Sequence, residues 1–363
     1  MLAHFHGLAS TTGLVFFAIL GNHGVTLFFV LSGFVLTHRY EKRNVNPRND
    51  CRESSESFGW RNYAAARFAR IVPVYWLSLI VTLIAYLFSG FNISLGEHPE
   101  GALKTSLGFA VNWLALQAWI PDASIQEFWN SPGWSISAEF FFYTCFPWLI
   151  RVRFLDGSMK SFFFVLLFFV LLLLVYLGIL ALTGQVTSSL LGYGVRMPLL
   201  GLLPFIFGIL LCRRQHQYSP AFLHPSTKIT FSLIAIFVIT WFQADWLSTI
   251  SPFSSAIWRS MLAQQLIFVP LLTTLIAALA QDRGVYKNLL ASPPLVYLGN
   301  SSYAMYLFHW LPLCYLIHYF GPGGLSWGHT FLFILGIIVM SMGIYRWFEA
   351  PMNTWLFKAA SNR

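Results

Sequence analysis

Arg67 and Arg70 stand three residues apart in Arg67-Phe68-Ala69-Arg70-Ile71-Val72-Pro73-Val74-Tyr75-Trp76, where a basic segment meets a long apolar stretch. That spacing puts both guanidiniums on one helix face. Two planar forks on one face suit an anion with several oxygens, such as a phosphate. The competing reading makes them two more charges that orient a membrane protein. Against it, they abut a helix start, whose backbone N–H groups also favour anions. Other cations already anchor the same segment, so orientation does not require these two.

Ionisable groups inside apolar segments are costly, so each asks for a reason. Glu139 lies in Trp134-Ser135-Ile136-Ser137-Ala138-Glu139-Phe140-Phe141-Phe142-Tyr143. It reads either as half of a buried ion pair with an inward arginine or as a catalytic carboxylate. His309, in Tyr303-Ala304-Met305-Tyr306-Leu307-Phe308-His309, reads as a histidine bonding between helices or as a ligand contact. Glu349, just before Pro351, reads as an interfacial carboxylate paired with a basic residue. His4, His6 and His23 lie around the first apolar stretch. His38 and His216 sit in basic loops and read as solvated.

The elements that must position these residues are membrane helices. The 363 residues are 57% hydrophobic and 18% aromatic, with only 10% charged and a mean hydropathy of +0.64. Runs such as 162–182 reach the roughly 20 apolar residues that a bilayer crossing takes. The net charge of +9 does not point to nucleic acid. Eight of the 22 Lys and Arg fall between Arg39 and Arg70, and others flank apolar segments, as cytoplasmic loops do. Cys51, Cys145, Cys212 and Cys314 have no metal or redox spacing. The start at Met1 lacks the basic region of a signal peptide.

Ten crossings fit best. The first two are the N-terminus to Leu20 and Gly24 to Leu36, followed by a basic loop over 38–70. A third helix opens at Pro73 and runs to Phe88, since proline suits a helix start. The stretch 103–120, interrupted by Gly108, Asn112 and Gln117, reads as a re-entrant or interfacial helix. That choice puts the loops with Arg151, Arg153 and Lys160, with Arg213 and Arg214, and with Arg283 and Lys287 on one side. The remaining crossings are 133–150, 161–183, 198–212, 229–247, 258–280, 293–318 and 329–348. The expected fold is all-α: one polytopic bundle over 1–363 with no appended soluble domain.

The chain resembles the acyltransferase-3 family of bacterial integral-membrane O-acyltransferases. Gly24-Val25-Thr26-Leu27-Phe28-Phe29-Val30-Leu31-Ser32-Gly33-Phe34 is similar to its second-helix signature, and Arg67 to Tyr75 to its paired-arginine motif. Trp134 to Pro147, Gly299 to His309, and Glu349-Ala350-Pro351 are similar to three further signatures in order. The resemblance implies a donor acyl-CoA, usually acetyl-CoA, with no bound cofactor or metal. It implies an acceptor hydroxyl on a sugar or cell-envelope glycan, and a location in the bacterial inner membrane.

A histidine near the first helix is implied as general base; His4 matches best, with His6 and then His23 as alternatives. The chain begins at Met1, so the first helix reads as truncated. The family's acidic residue after Gly-Val is Thr26 here. Arg67 and Arg70 are then donor-binding or charge-stabilising groups, and Glu139 a supporting catalytic carboxylate. Tyr75, Trp134, Ser135, Tyr303 and His309 are expected at the substrate. Without an appended domain, transfer is direct or uses a separate envelope partner. The alternative class is a transporter or exporter, since intramembrane Glu and His beside a broken helix also suit a solute pathway.

Overall fold

A computed structural model describes residues 12–41, 59–88, 100–184, 190, 193–194, 196–217, 224–249, 264–321 and 327–361. These residues form helices and turns, with no strand among them. In chain order the helices are α1 Thr12–Glu41, α2 Trp60–Phe88, α3 Gly101–Trp113, α4 Ala123–Glu127, α5 Trp134–Leu149, α6 Met159–Leu182 and α7 Pro198–Gln217. There follow α8 Pro225–Thr249, α9 Val269–Gln281, α10 Val285–Leu290, α11 Pro293–Phe308, α12 Trp310–Phe320, α13 Trp327–Ile344 and α14 Ala350–Ser361. Five stretches, 60–88, 159–182, 198–215, 225–243 and 328–358, are long and apolar enough to cross a membrane.

Two expected boundaries differ. The proposed break between Leu20 and Gly24 is absent: α1 is one helix of 30 residues. Glycine in a helix costs only about 1 kcal/mol, and in an apolar medium the backbone has no water to turn to instead. The basic loop ends before Trp60, and Pro73 lies inside α2 rather than at its start. The residues before Pro73 bury Tyr63, Ala66, Arg67, Ala69, Ile71 and Val72. That packing outweighs the roughly 3 kcal/mol cost of an interior proline.

The 103–120 stretch is non-spanning, as expected. Helix α3 has 13 residues, about 20 Å at 1.5 Å per residue. The chain then folds back through short turns at Gln117–Trp119 and Ser131–Gly133. The polar interruptions make the fold-back possible. Asn112 donates to the carbonyls of Gly108 (2.9 Å) and Ile125 (2.8 Å), and Gln117 donates to that of Gly133 at 2.6 Å. Indole stacking of Trp76 on Trp113, 4.7 Å apart, holds α3 to α2.

Asp122 caps α4 through the Ser124 N–H at 3.0 Å and pairs with Lys104 at 2.8 Å. Burial pushes its carboxyl up, but hydrogen bonds from Lys104 and Ser124 outweigh that and hold it below its ordinary value. A carboxyl whose folded-state value is lowered stabilises the fold above the ordinary Asp range and loses that contribution as pH falls through the lowered value. Hydrogen exchange in 114–133 is therefore expected to speed up on strong acidification. Asp122→Ala is expected to show the faster exchange already at pH 7 and to respond little to acid.

The centre of the bundle is the crossing of α1 and α7. A Cβ on Gly33 would stand 2.0 Å from the Phe205 carbonyl oxygen, and one on Gly208 would stand 2.0 Å from that of Val30. Only glycine lets the two backbones approach so closely, a device that membrane helices favour. At one end of this pair Arg213 donates to Glu41 at 2.6 Å and to the carbonyls of Val152 (3.2 Å), Leu155 (2.5 Å) and Ile150. It thus ties α1 and α7 to the loop after α5.

Several of the basic segments meet at this end of the bundle. Trp60 meets Trp148 at 5.1 Å, Arg214 reaches Gly157, and Lys228 lines the same cavity as Arg214. Arg213→Ala leaves Glu41 and several carbonyls without their partner, and is expected to cost about 2–3 kcal/mol. Unfolding in detergent titrations, with Glu41→Ala alongside, measures it; a loss under about 0.5 kcal/mol (about a two-fold change in the folding constant) would contradict this account.

Candidate active site

Helices α2 and α5 bring the charged residues together. Arg67 and Arg70 lie about 10 and 15 Å along α2 from its first residue. The pair is not equivalent. Three residues turn a helix by about 300°, so the two side chains straddle the edge of the buried face. Arg67 is buried at 8% exposure, and its guanidinium lies 5.6 Å from the Tyr143 ring centroid. Its Nε has no hydrogen-bond partner. Arg70 is exposed. It acts electrostatically on Glu139, Tyr143 and Glu349.

Glu139 is buried on α5, one turn before Tyr143. The Tyr143 hydroxyl donates a short hydrogen bond to Glu139 Oε1, and Ser32 on α1 donates to the same oxygen at 3.4 Å. Tyr63 donates to the Tyr143 carbonyl at 2.8 Å. The expected ion pair to Glu139 is absent among the described residues, because no Lys or Arg nitrogen comes within contact distance. Hydroxyls satisfy one carboxylate oxygen, while Oε2 is buried without a partner. Arg67 and Tyr143 line a cavity of about 800 Å³ with Trp60, Arg61, Tyr63 and Phe68. A buried cation without a bonded anion, at the wall of an aromatic cavity, can receive a phosphate or an oxyanion.

The other predicted residues form a neutral layer beside this centre. Tyr75, fully buried, donates to the Asn112 carbonyl at 2.6 Å and accepts from Gln117 at 3.0 Å. Ser135 bonds the Pro132 carbonyl at 3.0 Å and the Tyr306 hydroxyl at 2.9 Å. Trp134 sits edge-on to Phe29 at 6.3 Å. Tyr303 donates to the Ile71 carbonyl at 2.9 Å and lies within electrostatic range of Glu139 and Glu349, so it links the layer to the charge centre.

His309 is buried where α11 breaks into α12. Pro312 cannot donate to the Phe308 carbonyl, which explains the break. A carbonyl only accepts, so the 2.8 Å contact to Tyr306 makes His309 Nδ1 the protonated nitrogen. His23 is buried and stacks on Phe268 at 3.6 Å. His4 and His6, the first choices for a base, lie outside the described residues. Glu349 is buried in a π turn, Tyr345–Glu349. Among the described residues, no group of His, Cys, Asp and Glu is placed to hold a metal ion.

Sequence reading overlooked Tyr63 and Asn130, and it held Ser32, Tyr143 and Tyr306 only as members of motifs, although the spacing of four from Glu139 to Tyr143 marks one helix face. Asn130 donates to Ser78 at 3.0 Å and to the Leu307 carbonyl at 3.3 Å, bonds that no local spacing announces.

The family model of the acyltransferase domain matches residues 1–346. The acyltransferase MdmB of Streptomyces mycarofaciens is 34% identical over 146 residues, 39% of this chain and 32% of that protein. The peptidoglycan O-acetyltransferase OatA of Listeria monocytogenes serovar 1/2a is 23% identical over 309 residues, 79% of this chain and 44% of that protein. The exopolysaccharide production protein ExoZ of Rhizobium meliloti is 32% identical over 134 residues, 35% of this chain and 33% of that protein. The chain thus spans under half the length of each of these relatives. No solved structure gives a significant match.

Proposed function

The chain belongs to the acyltransferase domain family, and from that premise we propose that it moves an acyl group, acetyl first, from cytosolic acyl-CoA to a hydroxyl of a sugar or cell-envelope glycan in the bacterial inner membrane. The names of two relatives, a peptidoglycan O-acetyltransferase and an exopolysaccharide production protein, support a glycan acceptor. The observation that carries the donor assignment is Arg67, a buried guanidinium on the wall of a cavity lined by residues from the basic end of the bundle.

Arg67 and Arg70 hold a CoA phosphate or the oxyanion that develops on the thioester carbonyl. A neutral histidine, His4 first, takes the proton from the acceptor hydroxyl as its oxygen attacks that carbonyl. The carbon–sulfur bond breaks, and the proton passes to the departing CoA thiolate. Glu139, held by Tyr143 and Ser32, sets the negative field that balances the two arginines. The closed bundle limits loss of the thioester to water.

Purified protein in proteoliposomes, given acetyl-CoA and a peptidoglycan or exopolysaccharide fragment, is expected to release free CoA only when the acceptor is present. Acceptor movement across the vesicle without CoA release would replace this reading with transport. CoA that binds equally to wild type and to Arg67→Ala/Arg70→Ala would remove the pair from the donor site.

A further inference from the structure

A second cavity, of about 490 Å³, lies at the basic end between α6, α7, α8 and α9. It shares no lining residue with the Arg67 cavity. Its walls include Phe162, Phe163 and Leu166 of α6, and its rim carries Arg214 and Lys228. The α6 face around it is turned outward: Phe163 is 61% and Phe164 51% exposed, as a lipid-facing helix would be. Cations stand where a headgroup lies, and apolar side chains stand where an acyl chain lies. Arg214 donates to the Gly157 carbonyl at 3.5 Å, which steadies the guanidinium at the rim.

We propose that this groove binds one anionic phospholipid from the leaflet on the basic side, its phosphate between Arg214 and Lys228 and an acyl chain along Phe163 and Leu166. The charge pattern selects an anionic headgroup over a zwitterionic one. Basic pockets between membrane helices on that side recognise such headgroups, and that leaflet carries the negative surface potential. The Gln215 side chain donates to the Ala277 carbonyl at 3.1 Å, so α7 and α9 are already fastened beneath the site. A lipid there fills the gap that these helices leave against α6.

The test is lipid retention by the full chain, read by native mass spectrometry after purification from vesicles of equal phosphatidylglycerol and phosphatidylcholine with matched acyl chains. Wild type is expected to keep phosphatidylglycerol selectively. Arg214→Gln and Lys228→Gln are each expected to weaken retention roughly five-fold, the factor that about 1 kcal/mol per cation near the surface represents. Thr274→Trp leaves every charge in place and narrows the apolar part of the groove from an exposed position. It is expected to displace the lipid while acyl transfer continues. Circular dichroism confirms that each variant is folded. Equal retention of the two lipids by wild type would overturn the proposal. So would unchanged phosphatidylglycerol in folded Lys228→Gln and Thr274→Trp.

Discussion

Arg67→Ala is expected to lower acyl transfer by at least about a hundred-fold while leaving the protein folded. A donor aimed at developing negative charge, in a site that excludes water, is worth that much when removed. Among the described residues the guanidinium makes no ion pair with a carboxylate, so its loss breaks none. Tyr143 loses only a cation at 5.6 Å from its ring. Arg67→Lys keeps the charge but loses the planar fork, and is expected to recover a minor part of the rate. Arg70 is exposed, so Arg70→Ala is expected to raise KM more than it lowers kcat. Steady-state CoA release, with melting curves for each variant, reads all three. Full activity in folded Arg67→Ala would end the assignment.

Gly208→Ala is the second large effect, and it falls on stability. The added methyl would stand 2.0 Å from the Val30 carbonyl oxygen and 2.6 Å from the Phe34 amide. Neither neighbour is a side chain that can swing away, so α1 and α7 must separate. Overpacking of well-packed cores costs up to about 3 kcal/mol when side chains can yield. Here backbones must move, and a loss of at least about 3 kcal/mol is expected, with a sharp fall in folded yield. Gly178→Ala on α6, where nothing lies within 4 Å of the new carbon, is the matched control and is expected to be harmless. Equal melting of the two variants would refute this account of the crossing.

The sequence disclosed the helical class, the non-spanning element and the charged residues, because those signals are local. Asn112 and Gln117 were legible as interruptions of an apolar run. That they close the turn was not, since their partners at Ile125 and Gly133 are set by tertiary packing. The α1 and α2 boundaries were misread because Gly24 and Pro73 were weighed as the starts of helices. Their local cost is smaller than what the surrounding packing returns. Arg67 and Arg70 were placed on one face, which their spacing justified. Their different burial depends on where Tyr143 lies, and only the approach of α2 to α5 fixes that. Ser32 and Glu139 meet across 107 residues of chain, a pairing that no motif spacing encodes.

The tie between Glu41 and Arg213 spans 172 residues, and it sets an order of events during synthesis. At about 5–20 residues per second the ribosome needs roughly 10–30 s to make the segment between them. Throughout that interval α1 stands in the bilayer without the helix that covers Gly33. Ser32 and Thr37 are then within the lipid phase or held by the insertion machinery. Assembly of this enzyme is therefore a late, long-range docking step, and a chain stalled before α7 would present a polar, glycine-lined seam for any quality-control protease to recognise.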